Sequence, residues 1–178
     1  EDGRVTISRV NASATYPARF MLIASMNPCP CGHYGTGDCR CTPIQIQRYL
    51  NRISGPLLDR IDIHIEMGPV SYAHLTDRLE EEKSDSIRAR VNAARQVQNK
   101  RYQQHGIYNN AQLNEKLTKQ YCEPDAQGQQ LLKSAFNSMG LSARAYGRIL
   151  KVARTIADLE GSENILGRSE GASCRERV

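Results

Sequence analysis

No run in this sequence approaches the roughly 20 consecutive apolar residues that a membrane-spanning helix needs, and only 39% of it is hydrophobic. A membrane-spanning helix is excluded on that count. No secretory leader opens it, so a cytoplasmic setting, where thiols stay reduced, is expected. Also missing is any Gly-x4-Gly-Lys-Ser/Thr, the glycine loop and lysine that cradle a nucleotide's phosphates. The stretch Gly32–Gly37 has glycines at that spacing but no lysine. No strand ends in the acidic residues that would hold a magnesium ion beside such a loop. By itself the chain is therefore expected neither to bind ATP tightly nor to hydrolyse it. It starts at Glu1-Asp2 without a methionine and is expected to be a piece of a longer protein.

What is present suits one core plus a small helical domain: 178 residues, with a net charge of +5 and a pI near 9.0. The positive balance favours an anionic partner such as nucleic acid or nucleotide. The stretch with most chemistry is Met21–Cys41. An apolar run from Phe20 to Ala24 gives way to Ser25-Met26-Asn27 and breaks at Pro28. Such a run reads as a strand buried on both faces of a parallel sheet, and ligands bind beyond the carboxyl ends of those strands. Asn27 lies in that zone. Four cysteines follow as two Cys-x-Cys pairs, Cys29/Cys31 and Cys39/Cys41, with Gly32, Gly35 and Gly37 between them. Four thiols in two close pairs predict a structural zinc site, since a closed shell of four leaves no open catalytic position. Disulfides and unliganded thiols are the alternatives, and His33 could replace one cysteine.

These residues also carry a resemblance. Asn27-Pro-Cys-Pro-Cys-Gly32, then Gly55-Pro-Leu-Leu-Asp-Arg60-Ile-Asp-Ile-His-Ile65, then Gly140-Leu-Ser-Ala-Arg144 through Leu159 resemble, in order, the magnesium-chelatase-like AAA+ ATPases of the ComM/YifB type. The similarity covers about residues 1–166. It implies an α/β fold followed by α-helices. Residues 1–67 would be the end of a parallel-sheet AAA+ core with a Cys-rich insertion, 68–84 a linker and 85–166 a helical lid. Residues 167–178 lie beyond the resemblance, have no apolar pattern and are expected to be a disordered tail, whether native, added to the protein or read in a shifted frame. The resemblance further implies that Asn27 is sensor 1, a neutral amide able to orient the attacking water. Arg60 would be an arginine finger reaching a neighbouring subunit's nucleotide, with its surface pairing to Asp62 as the plainer reading. Arg144 would be sensor 2, with Arg148 the second candidate. ATP and Mg2+ are the implied cofactors, a homo-oligomeric ring, hexameric by expectation, is the implied assembly, and DNA the implied partner. Two other readings stay open: a zinc-stabilised nucleic-acid-binding module without catalysis, and a metal-chelatase motor subunit.

The remaining pattern is mostly helical. Val5 to Arg9 and Ala14 to Tyr16 flank an Asn-containing turn and predict an edge hairpin. The resemblance implies that its Arg4 and Arg9 are candidates to touch a threaded strand, with solvated surface arginines as the plainer reading. Thr42-Pro43 predicts a helix start, with Ile44, Ile46, Tyr49, Leu50 and Ile53 as its apolar stripe. Alternation over Ile61 to Ile65 predicts a strand. A basic helix is expected from about Ser86 to Gln104 on Ile87, Val91, Ala94 and Val97. A shorter one is expected over Leu113–Tyr121, then one with Leu131, Leu132, Ala135, Phe136 and Met139 inward. Ser142 caps the last, with Ala143, Tyr146, Ile149, Leu150, Ala153, Ile156 and Ala157 buried. In its first turn Arg144 opposes the helix dipole, which makes sense if an anion is meant to sit nearby.

Overall fold

The computed structural model describes residues 3–10, 12–68 and 82–167. Of the expected linker at 68–84, residues 69–81 lie outside the described residues, as do the tail from 168, with Cys174, and Asn11 of the hairpin turn. The chain divides into two compact units, Glu1–Ser54 and Gly55–Val178.

In the first unit, β1 (Arg4–Arg9) pairs antiparallel with β2 (Ala12–Pro17), Arg4 opposite Pro17 and Arg9 opposite Ala12. Hydroxyls meet across one face, Thr6 with Thr15 at 2.9 Å and Ser8 with Ser13 at 3.0 Å, a polar form of cross-strand pairing. The hairpin is thus as expected. The buried strand is not: Phe20 to Ala24 forms no ladder, and Met21 and Ile23 are each 82% exposed. A parallel strand exists only through hydrogen bonds to neighbouring strands. Among the described residues the one sheet is the two-stranded hairpin, so no parallel sheet forms here. Helix α1 (Pro43–Leu50) does start at Thr42. The Thr42 hydroxyl accepts from the Gln45 N–H, and the Gln45 side chain accepts from the Thr42 N–H at 2.9 Å, a reciprocal cap. Its apolar stripe buries nothing. Of this unit's described residues only Cys29 is buried.

The second unit opens with the single turn α2 (Gly55–Leu58), followed by Ile61 to Ile65, which runs without strand pairing. Four helices then build the core: α3 (Ser84–Tyr102), α4 (Glu115–Tyr121), α5 (Ala126–Met139) and α6 (Ala143–Leu159). Asn114, Asp125 and Ser142 cap the last three, each side chain accepting an amide of the first turn. Gly140, at φ +60°, ends α5 in the left-handed conformation that glycine adopts without penalty. The core joins Tyr102, Leu113, Leu117, Cys122, Leu132 and Ile165 to the buried face of α6, namely Ile149, Leu150, Ala153 and Ala157.

Three stripes of this unit differ from expectation. On α3 the buried residues are Ala94, Gln98 and Tyr102, while Ile87, Val91 and Val97 are exposed. The helix is turned toward α6 by polar bonds from Gln98 and Arg101 to Asp158. On α5 Leu132 is buried, but Leu131, Phe136 and Met139 are each about two-fifths exposed. On α6 Ala145 is buried and Tyr146 is exposed.

Candidate metal centre and arginine loop

The cysteine pairs converge. Cys29 Sγ lies 3.4 Å from Cys31 Sγ and 3.9 Å from Cys39 Sγ, Cys31 and Cys39 are 3.8 Å apart, and all four sulfurs fall within 4.8 Å of one another. Sulfurs ~2.3 Å from a common tetrahedral zinc stand ~3.8 Å apart, so the donor set fits that ion in both number and spacing. The loop closes by a turn in which the Gly32 N–H donates to the Cys29 carbonyl at 3.0 Å, with Gly32 at φ +82°. His33 lies outside the cluster, and its carbonyl accepts from the Thr36 N–H and hydroxyl.

Electrostatics point the same way. Backbone N–H groups of Arg40 and His33, with the Cys29 thiol, draw the Cys31 thiol down to about 6. Burial and the Cys31 and Cys29 sulfurs push Cys41 up to about 12. The cluster releases one proton readily and resists releasing another, because burial and the neighbouring sulfurs disfavour a second thiolate. A bound dication reverses that order and deprotonates its ligands.

Asn27 is exposed just before this loop, its amide nitrogen 4.0 Å from where a side chain on Gly32 would begin. Arg60 and Arg144 belong to the second unit and are both exposed. Arg60 follows α2, where its own N–H donates to the Leu57 carbonyl at 2.9 Å and its Nη1 to the Pro56 carbonyl at 2.6 Å. Arg144 stands in the first turn of α6, as expected. One turn further on, Arg148 donates to the Asp59 carbonyl at 3.1 Å and lies 3.3 Å from Asp62 Oδ1. Asp62 thus has a partner in Arg148.

Sequence reasoning also missed a buried polar knot. Asp158, its side chain fully enclosed, accepts from Arg101, Arg154, Gln98 and Asn110. Tyr102 in turn donates to Asn110 at 2.7 Å. Burial alone would raise the Asp158 carboxyl, but the bonds from Arg101 and Asn110 outweigh it and hold the group below the usual carboxylate range. The signal in the sequence was a lone acidic residue at i+4 from an arginine on an otherwise apolar helix face.

Residues 81–170 match the family model for the magnesium chelatase, subunit ChlI C-terminal region, and residues 1–75 match the model for magnesium chelatase, subunit ChlI. The chain belongs to this family. It is 45% identical over 166 residues to the competence protein ComM of Haemophilus influenzae, covering 93% of this chain and 32% of ComM. Its identity to YifB of Escherichia coli is 44% over 167 residues, with the same shares. A Mycobacterium tuberculosis protein is 36% identical over 161 residues, 90% of this chain and 32% of that protein. The chain thus spans about a third of the length of these curated relatives, at 32% of each. The ComM/YifB resemblance stands, and the family is related to AAA+ ATPases. No helix among the described residues is long and apolar enough to cross a membrane.

Proposed function

We propose that this chain is a C-terminal portion of a ring-forming AAA+ ATPase that uses ATP and Mg2+ to remodel DNA, as a helicase or a branch-migration motor. The observation that carries this reading is the tiling of the chain, in order, by the two ChlI models at residues 1–75 and 81–170. Residues 1–67 complete an α/β core and 85–166 form its lid. The missing parallel strands and phosphate cradle belong to the rest of the protein, which also covers the exposed run Phe20 to Ile23. Asn27 orients water, Arg60 reaches a neighbour's nucleotide and Arg144 senses phosphate. Zinc on Cys29, Cys31, Cys39 and Cys41 holds the Asn27 loop in shape and takes no part in the chemistry. When bound, ATP supplies the phosphoryl group whose developing charge an arginine is suited to stabilise.

The second reading, a zinc-stabilised nucleic-acid module without catalysis, is favoured by the sulfur cluster and the net charge of +5. ATP hydrolysis by the full-length protein with and without DNA separates the two. DNA-stimulated turnover supports the motor, and DNA binding without turnover supports the module.

A further inference from the structure

The loop that presents Arg60 is gripped from α6. Arg148 is largely enclosed, its side chain 17% exposed, and it meets the loop on both sides of Arg60. One contact is the Asp59 carbonyl, the residue before Arg60, at 3.1 Å, and the other is the Asp62 carboxylate, two residues after, at 3.3 Å. The loop's own turn bonds, Arg60 N–H to Leu57 and Ile61 N–H to Leu58, run back only to α2. Among these described bonds, those of Arg148 tie the loop to the helical core. A guanidinium suits the task, because it donates to a neutral carbonyl and a carboxylate at once while remaining charged.

We propose that Arg148 is a positioning residue for Arg60, fixing the loop so that the finger leaves it in a defined direction. The inference rests on the reading of Arg60 as a finger. It also gives α6 a second task. Arg144 and Arg148 are one turn apart on the same helix face, so a displacement of α6 on phosphate contact at Arg144 moves the loop that serves the neighbouring subunit. The lid then reports its own nucleotide state to the next site through one side chain.

The test is a double-mutant cycle in the full-length ATPase, reading kcat, KM for ATP and ring assembly for Arg148→Ala, Arg60→Ala and the pair. Arg148→Ala should lower kcat on the order of tenfold to a hundredfold, the scale of a misplaced catalytic group, with KM and assembly unchanged. Combined with Arg60→Ala it should cost nothing more, because both changes remove the same contribution. Arg148→Lys should recover only part of the loss. Asp62→Asn, a milder change at a half-exposed site, should lower kcat several-fold in the same background-dependent way, and it decides the matter if Arg148→Ala fails to fold. Parental kcat in Arg148→Ala, or equal losses with and without Arg60, would overturn the positioning role while leaving the finger intact. Parental hydrolysis by Arg60→Ala would instead remove the finger, and this inference with it.

Discussion

Cys29 is the one buried residue described in the first unit, so at the residue scale the cysteines take the place a hydrophobic core would fill. A unit without a core depends on a staple, and metal binding there is folding free energy. The purified chain, prepared reduced and without chelator, should carry about one zinc by metal analysis. Cys39→Ser should lose it and loosen 29–41 to proteolysis. The far-ultraviolet helical signal should persist, because the core of Tyr102, Ile149 and Ile165 lies elsewhere in the chain. Metal-free chain from that preparation would refute the site.

Asp158 is the counterpart in the second unit. Asp158→Ala leaves Arg101 and Arg154 facing a cavity without their carboxylate, and breaking a buried pair in this way costs about 3–5 kcal/mol, measurable by urea unfolding. The pH dependence has a definite sign. The folded carboxyl is held below its ordinary range, so its contribution is present above the unfolded value and is lost as pH falls through the folded one. Helical unfolding of the parent should therefore ease as pH drops below about 4. Asp158→Asn should be less stable at neutral pH and show a shallower acid dependence.

At the scale of elements, caps were the most legible features because they are local. Thr42 and Ser142 each act within one turn, and each sits where sequence alone put it. Ser142→Ala should destabilise α6 by about 1 kcal/mol, and a thermal midpoint equal to the parent's would contradict the cap. Faces were less legible. The apolar spacing of α3 pointed to Ile87, Val91 and Val97, but the helix turns Gln98 and Arg101 toward Asp158, which is 60 residues from Gln98 along the chain. No window centred on α3 contains that partner. The four-cysteine cluster was legible from composition and pairing, and its distances now fit one ion. Arg60 and Arg144 could be placed by resemblance, but the grip of Arg148 on the loop spans 89 residues and is visible only in three dimensions. Phe20 to Ile23 failed as a strand for a related reason: pattern marks a segment fit to be buried in a sheet without supplying its neighbours.

At the scale of the whole molecule, a chain covering 32% of its relatives carries helices that fold around their own core and an apolar run that finds no sheet. That asymmetry fits the proposed pairing of a lid with part of an α/β core. It also fits the proposed chemistry, in which Asn27, Arg60 and Arg144 act from this chain and the phosphate cradle comes from the rest of the protein. On the proposed reading Arg60 works only across an interface, so the proposed activity requires a ring. The most direct test uses the full-length protein in mixed assemblies. Arg60→Ala alone should bind ATP and assemble normally, yet hydrolyse it at least about a thousandfold more slowly, the scale of an arginine finger. Subunits lacking the phosphate-cradle lysine should be inactive for the opposite reason. Mixing the two should restore hydrolysis wherever an intact Arg60 meets an intact cradle on its neighbour. Hydrolysis by Arg60→Ala at the parental rate, or no recovery on mixing two individually inactive, assembling variants, would contradict a trans-acting ring.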